Sequence, residues 1–314
     1  MTVIHLKTMR EVSSPPASVV CLGNFDGVHI GHAALIRETV CKWEALSSRY
    51  PNIACGACFF RTPPAAYISA HPIVQLTTLK QKLKLFSDMG LTYAYILDFP
   101  DVSTLSPEQF VSDILVGQLH CVHAVCGFNF HFGYKAAGTA ETLTALMAGE
   151  ASVVAPVKIG CQTVSSSVIR QMVADGNLEK AKVFLGRPFC LDAEVVHGKA
   201  LGRSIGIPTV NQYFPENLAV PGFGIYITKT EIDGLLYPSV TNVGIRPSVN
   251  DGTRVNCETH LLGFDRNLYG KFVKVYFESR LRNEMKFDSI DALREQINKD
   301  ILATNEYFRG SEQK

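Results

Sequence analysis

The pattern of apolar and polar positions changes character once along the chain, near residue 185. Before that point, short continuous apolar runs alternate with longer stretches whose apolar residues recur at helical spacing. "SVVCLG" (18–23), "IACGACFF" (53–60), "TYAYILDFP" (92–100) and "HAVCGFNFHFG" (123–133) predict strands. "HAALIRETVCKWEALSSRY" (32–50) predicts a helix with Ala34, Leu35, Val40, Trp43 and Leu46 turned inward. "LTTLKQKLKLFSDMG" (76–90) predicts an amphipathic helix stopped at Gly90, and "RTPPAAY" (61–67) a Pro-rich loop. Strands alternating with helices predict an open, mostly parallel α/β sheet. After "FLGRPF" come short strands punctuated by turns: "CLDAEVVHG", "GIYITKTEI", "YPSVTNVG", "VNCETHLLGF" and "KFVKVYFES". Little helix intervenes, which predicts a separate antiparallel β domain. The tail at 289–308 has Ile290, Leu293, Ile297 and Ile301 at helical spacing and Asp288 or Ser289 as N-cap, so it predicts a helix packed on that domain. The expected domains are therefore 1–185, α/β with a parallel sheet, and 186–314, an antiparallel β-barrel with a C-terminal helix.

Composition narrows the function classes. A length of 314 residues suits two domains, and 46% apolar with 19% charged residues supplies a core for each. A net charge of +1 and no linear basic patch argue against a nucleic-acid partner. No apolar run is long enough to span a bilayer, and "MTVIHLKTMREV" lacks the signal-peptide pattern. Nine scattered cysteines, mostly in apolar segments, fit buried thiols in a reducing compartment, so the expected location is the cytoplasm. Cys55 and Cys58 form a C-x-x-C, but residues three apart on a strand point to opposite faces, which is wrong for chelation.

The first chemistry-bearing stretch is "GNFDGVHIGH" (23–32). A strand that ends in a Gly-rich turn and opens a helix offers backbone N–H groups and a positive dipole end to an anion. If the first helical turn begins near His29, then His29 and His32 share one face and converge on the same space. The stretch resembles the G-x-F-D-G-x-H-x-G-H motif of the FAD synthetase branch of the nucleotidylyltransferase superfamily, matched at every fixed position. His-Ile-Gly-His also occurs in class I aminoacyl-tRNA synthetases, but their second, lysine-rich motif is absent here. "VSSSVIRQMVADG" (164–176) places Ser165, Ser166 and Ser167 as helix N-caps with Arg170 in the first turn, where a bound phosphate would offset its unfavourable place on the helix dipole. It resembles the family's I-S-S-T-x-I-R, with Ser167 in place of Thr. "GFNFHFGYKAAG" (127–138) is similar to the family's G-x-[DN]-F-x-F-G segment, with Asn129 at the polar position; His131 stands where Arg is common and Thr139 where Asp is common. The resemblance implies a Rossmann-like domain in which His29 and His32 are catalytic. Gly23, Phe25, Asp26, Gly31, Asn129, Ser165, Ser167 and Arg170 would then hold ATP.

The second constellation is "HGKALGRSIGIPTVN" (197–211). Gly198, Gly202 and Gly206, with Lys199 and Arg203, make a flexible basic loop suited to phosphates, though not a Walker A loop. Thr209 and Asn211, two apart on an extended segment, put a hydroxyl and an amide oxygen on one face, a hard-ligand pair for Mg²⁺. The stretch resembles the G-x-x-x-G-R-x-x-G-x-P-T-x-N motif of riboflavin kinases. The similarity continues through "YPSVTNVGIRPS", "CETHLLGFDRNLYGK" and "LRNEMKFDSIDAL". By its surroundings alone Glu258 is a lone acid in a strand and reads as structural; the resemblance makes it the general base. It likewise implies Gly198, Lys199, Gly202, Arg203, Thr209 and Asn211 as ATP contacts and Arg282 and Glu284 as flavin contacts. Gly263 and Asn267 replace two loop carboxylates, with no catalytic cost expected.

In order and coverage the chain is similar to bacterial bifunctional riboflavin kinase/FAD synthetases. That implies Mg²⁺ and ATP, with riboflavin, FMN and FAD as substrates and products. Two alternatives stay open at this level: a riboflavin kinase with a degenerate N-terminal domain, motivated by His131 and Thr139, and a non-enzymatic flavin-binding regulator. Oligomeric state, including a homo-oligomer, is not set by the sequence.

Overall fold

The computed structural model of the chain describes residues 1–6, 16–69, 73–198, 202, 206–245 and 254–311. They form two compact units, Met1–Ser166 and Ser167–Lys314.

In the first unit, β1 (Thr2–Leu6), β2 (Ser18–Leu22), β3 (Ala54–Phe60), β4 (Tyr93–Leu97) and β5 (Cys121–Gly127) are followed by β8 (Ala151–Val154). These six form one all-parallel sheet in the order β1-β4-β3-β2-β5-β8. Two short antiparallel pairs accompany it: β6 (His131–Phe132) with β7 (Gly138–Thr139), and β9 (Lys158–Ile159) with β10 (Gln162–Thr163). All five residues of β2 are buried, as a parallel strand covered on both faces requires. One side of the sheet packs Cys21, Cys55 and Phe59 with Ile36 and Phe86. The other packs Val20, Cys58 and Tyr95 with Leu115. Cys55 and Cys58 thus do point to opposite faces, and burial pushes the Cys55 thiol up to about 12 and the Cys58 thiol upward as well.

The helix Ile30–Leu46 forms as expected, and the helix Leu79–Asp88 opens with a capping box of Thr78 and Gln81 and is followed by Gly90 at φ 91°. Two expectations are corrected. The segment 123–133 is not one strand: β5 ends at Gly127, Phe128 and Asn129 turn outward, and only His131 and Phe132 extend again. The Pro-rich loop contains one helical turn, Ala65–Ile68, because Pro64 precedes it with helical angles.

In the second unit, β11 (Phe189–Glu194), β12 (Val210–Tyr213), β13 (Gly224–Ile232), β14 (Leu235–Ile245), β15 (Val255–Leu261) and β16 (Phe272–Arg282) form an antiparallel sheet. Its order is β11-β16-β13-β14-β15-β12, and a single bridge from Val196 to Asn211 joins the two ends into a near-closed barrel. Fully buried Gln212 reinforces the seam, its Nε2 donating to Ala193 O at 2.7 Å and Val273 O at 2.8 Å. The fully buried side chains of Thr228, Thr230, Ser239, Thr241 and Thr259 satisfy one another in a chain of hydroxyl contacts of 2.8–2.9 Å.

The division by packing falls before 185 because the helices Ser166–Ala174 and Leu178–Leu185 are tied to the barrel. Gly222 N donates to Val173 O at 3.1 Å, and Ser279 Oγ to Glu179 Oε1 at 2.6 Å. The C-terminal helix Ile290–Ser311 is capped by Ser289, whose Oγ accepts from Ala292 N at 3.1 Å. Its buried line is Asp300, Thr304 and Phe308, with Leu293, Ile297 and Ile301 half-buried; Ile290, expected inside, is 59% exposed.

Trp43 is the chain's one tryptophan and lies in the first unit, so its fluorescence separates the two units on unfolding. Gln212→Leu removes two hydrogen bonds at similar volume and is expected to cost about 1–3 kcal/mol. The urea transition seen by far-UV circular dichroism should move to lower denaturant while the Trp43 transition keeps its midpoint. An unmoved dichroism transition would show that Gln212 does not hold the seam.

Candidate active sites

The first site lies where the sheet changes direction. From β2 the chain runs outward through β3 and β4; from β5 it runs the other way to β8. Neighbouring parallel strands whose connections leave in opposite directions open a crevice at their carboxyl ends, where ligands bind in such sheets. The loop after β2 carries Gly23 to His32, and the loop after β5 carries Asn129, which is exposed.

The β2 loop is a strained turn held by its neighbours. Phe25 (φ 50°), Gly27 (φ 80°) and Val28 (φ 39°) all have left-handed angles, which cost energy at the two non-glycine positions. Buried Asp26 accepts from Leu76 N at 2.6 Å through Oδ1, and Gly27 N donates to Thr77 Oγ1 at 3.1 Å. Ser166 Oγ donates to the Asp26 carbonyl at 2.9 Å. Phe25 is wholly buried, edge-on to Phe86, with ring centroids 5.2 Å apart.

His29 is the N-cap of the helix Ile30–Leu46 rather than a residue of its first turn. Its Nδ1 accepts from His32 N at 3.2 Å, which leaves Nε2 as the ring nitrogen that carries hydrogen and can donate elsewhere. The two imidazoles stack with centroids 3.6 Å apart and planes within 14°, so they do converge. Gly31 permits this, since a Cβ there would crowd the His29 ring at 3.1 Å. A helix start with its N–H groups beside two imidazoles is chemically an anion site.

Ser165 and Ser166 lie at the end of the first unit; Ser167 and Arg170 belong to the second. The helix begins at Ser166, so Arg170 falls in the second turn, where its Nη2 donates to Ser167 Oγ at 3.0 Å. Thr139, where Asp is common, caps the helix Ala140–Leu146 by accepting from Thr142 N at 3.3 Å, so the change keeps the cap.

The sequence pattern missed Thr77 and Lys82. Lys82 is 3% exposed, with Nζ donating to Asn24 O at 2.9 Å and lying 4.9 Å from the centre of the Phe59 ring. Desolvation lowers its amine to about 8, against the opposing pull of Asp26. The only signal in the sequence was a lysine on the apolar face of an otherwise amphipathic helix.

The second site is on the outer face of the barrel. Asn211 on β12 is directly opposite Glu258 on β15, and Glu258 is directly opposite Asn242 on β14, so the three side chains stand in one row. Thr209, just before β12, donates from Oγ1 to Glu258 Oε1 at 2.7 Å. Asn211 Oδ1 accepts from Asn256 Nδ2 at 3.2 Å, and the Gly198 backbone lies so close to the Asn211 amide that a Cβ would overlap it. His260 donates through Nδ1 to Pro208 O at 2.7 Å, and Ile207 N donates to Gly202 O at 2.8 Å. Lys199 and Arg203 lie outside the described residues.

Thr209, Glu258, Arg282 and Glu284 line one cavity of about 240 Å³, and Leu293 and Ile297 of the C-terminal helix form part of its wall. Arg282 is clamped by buried Asp300, which accepts from Nε at 3.0 Å and from Nη2 at 2.7 Å. Asp300 had no signal in the sequence pattern. The hard oxygens of Thr209 and Asn211 fit Mg²⁺, which keeps waters and substrate phosphates as its other ligands. Among the described residues, no group of three or more His, Cys, Asp or Glu side chains is placed to hold a metal, as such a site does not require.

A phosphate loop at the switch point of a parallel sheet, joined in one chain to a barrel carrying a carboxylate beside hard oxygen donors, defines a two-site nucleotide-dependent transferase. Residues 11–168 match the FAD synthetase family and residues 185–308 the riboflavin kinase family. The chain is 33% identical over 298 residues to the bifunctional riboflavin kinase/FMN adenylyltransferase of Bacillus subtilis (strain 168), covering 93% of this chain and 92% of that one. It is 33% identical over 313 residues to the protein of the same name from Escherichia coli (strain K12), covering 96% and 97%. A solved structure named macrolide-efflux protein from Streptococcus pneumoniae superposes with a TM-score of 0.86 at 31% identity, covering 97% of this chain and 99% of that one. The chain belongs to the bifunctional riboflavin kinase/FMN adenylyltransferase family. Among the described residues no helix is long and apolar enough to cross a membrane.

Lys82 gives the first unit a pH signature. Between pH 8 and the ordinary lysine range the unfolded chain holds a proton that the folded chain has lost, so stability rises with pH across that window. Relative to Lys82→Met, wild type should gain stability from about pH 8 to pH 10.5, by on the order of 3 kcal/mol. Trp43-monitored urea unfolding of both proteins at each pH measures it, and parallel curves would refute it.

Proposed function

We propose that this chain makes FAD from riboflavin in two ATP-dependent steps: the barrel unit phosphorylates riboflavin to FMN, and the first unit adenylylates FMN with release of pyrophosphate. The observation that carries the reading is the Asn211–Glu258–Asn242 row, of which Glu258 and Asn242 line a cavity on the barrel together with Thr209. The functional boundary is taken at 185/186, where the chain's pattern changes.

The two sites differ as their nucleophiles do. Riboflavin offers an alcohol, a poor nucleophile until its proton is removed. Glu258, oriented by the Thr209 hydroxyl, takes that proton as the alcohol oxygen attacks the γ-phosphorus and ADP leaves. Thr209 and Asn211 would hold Mg²⁺, which would supply positive charge against the phosphates. Gly198, Lys199, Gly202 and Arg203 would enclose the triphosphate, and Arg282 and Glu284 would meet the flavin.

FMN offers a phosphate that is already ionised at neutral pH, so adenylyl transfer needs donors rather than a base. The phosphate oxygen attacks the α-phosphorus of ATP, and pyrophosphate departs. His29 Nε2–H, His32 and the helix-start N–H groups would stabilise the charge on the leaving group. Gly23, Phe25, Asp26 and Gly31 shape that turn, and Asn129, Ser165, Ser167 and Arg170 are the further proposed ATP contacts. The alternative of a kinase with a degenerate first domain is not favoured, because both halves match their families and the β2 loop motif is complete. Small molecules are the partners. A cytoplasmic location suits the nine cysteines, none of which forms a disulfide.

Chromatography of riboflavin, FMN and FAD after incubation with Mg-ATP tests both steps. His29→Ala with His32→Ala should abolish FAD formation and leave FMN formation within about two-fold of wild type. Glu258→Gln should slow FMN formation about 10²–10⁴-fold while supplied FMN is still converted to FAD. Loss of both activities in either folded variant would sink the assignment of one reaction to each unit.

A further inference from the structure

The barrel cavity has in its wall a polar group to which the reading above gives no chemical role. Asn242 lines it, next to Glu258 in the cross-strand row. Its Oδ1 is buried and has no hydrogen-bond partner among the described residues. A buried amide oxygen without a donor is costly to keep, so a fold that retains one in a cavity wall is complete only when a ligand brings the donor.

The surroundings say what kind of donor. Among the described lining residues the cation Arg282 is already answered by Asp300, and the Thr209 hydroxyl already gives its hydrogen to Glu258. The remaining wall near Asn242 is apolar, with Ile225 beside it on β13 and Val240 two residues back on β14. Glu284 adds a further acceptor; it lies over Gly244, where a Cβ would overlap its carboxylate, so the glycine is what admits it. Asn242 and Glu258 stand one strand apart, about 4.8 Å. A ligand that satisfies both carries two donors about one strand spacing apart, as a hydroxylated chain on an apolar ring system does.

We propose that Asn242 is a specificity residue of the kinase site: its Oδ1 accepts a hydrogen bond from an internal hydroxyl of the flavin's polyhydroxyl chain and so presents the terminal hydroxyl to Glu258. The inference rests on the riboflavin kinase reading of the barrel. It separates recognition of the chain from recognition of the ring system, which the apolar wall and the C-terminal helix contact.

Two ligands distinguish these roles: riboflavin, and lumiflavin, which has a methyl group where riboflavin has its hydroxylated chain. Their affinities for the full chain in Mg-ADP are read by flavin fluorescence, for wild type, Asn242→Ala and the volume-preserving Asn242→Leu. Riboflavin should bind about ten-fold more weakly to both variants, with a raised riboflavin KM and a lowered kcat, while lumiflavin binding stays unchanged. Conversion of supplied FMN to FAD should persist, reporting an intact first unit. Equal weakening of both ligands would mean that Asn242 only supports the cavity, and unchanged riboflavin binding would mean that it makes no contact; either result overturns the inference. A wild-type chain that binds riboflavin but never phosphorylates it would instead overturn the kinase reading, leaving the measured contact standing.

Discussion

The kinase side of this molecule depends on strand register. Asn211, Glu258 and Asn242 meet because β12, β15 and β14 pair with these three residues directly opposite one another. Side chains on a strand alternate between faces, so a slip of one residue in β15 would turn Glu258 into the hydroxyl-lined interior and bring Cys257 or Thr259 to the cavity. The buried polar chain from Thr230 to Thr259 resists that slip, since each hydroxyl has its partner only in the observed register. The interior of the barrel thus secures the alignment of groups on its exterior.

The first unit solves a different problem. A phosphate site at a helix start needs exposed N–H groups and therefore a turn that breaks the regular strand. Left-handed angles at Phe25 and Val28 are tolerated because Asp26, Thr77 and Lys82 hold the turn from behind with bonds to its backbone or from its carboxylate. The imidazoles in front are fixed in the same way, since the His29 ring both caps the helix and stacks on His32. Rigid donors of this kind stabilise departing charge without having to reorganise when it appears. In the barrel the Glu258 carboxylate is instead set beside the Thr209 hydroxyl, which donates to it.

Much of this was legible in the sequence. Strand and helix alternation, the change near 185, the helix stop at Gly90 and the convergence of His29 with His32 all follow from short-range patterns, because periodicity and turn chemistry act over a few residues. Motif resemblance singled out Glu258, which no local pattern marks, whereas the spacing of Thr209 and Asn211 on one face of an extended segment marked them as a hard-ligand pair. Where local reading failed, a distant contact had intervened. The strand through 123–133 breaks at a turn, and the C-terminal helix turns Asp300 inward because Arg282, eighteen residues earlier in the chain, is waiting there.

The sequence by itself determined the two-part architecture and the family of each part, since those reside in residue types at fixed local spacing. Only the tertiary structure decided which groups face one another across strands. It placed Asn242 beside Glu258, Asp300 against Arg282, and Thr77 and Lys82 behind the phosphate turn. These pairs join residues 16 to 58 positions apart, and such partners are chosen by strand order and packing, which no spacing along the chain encodes.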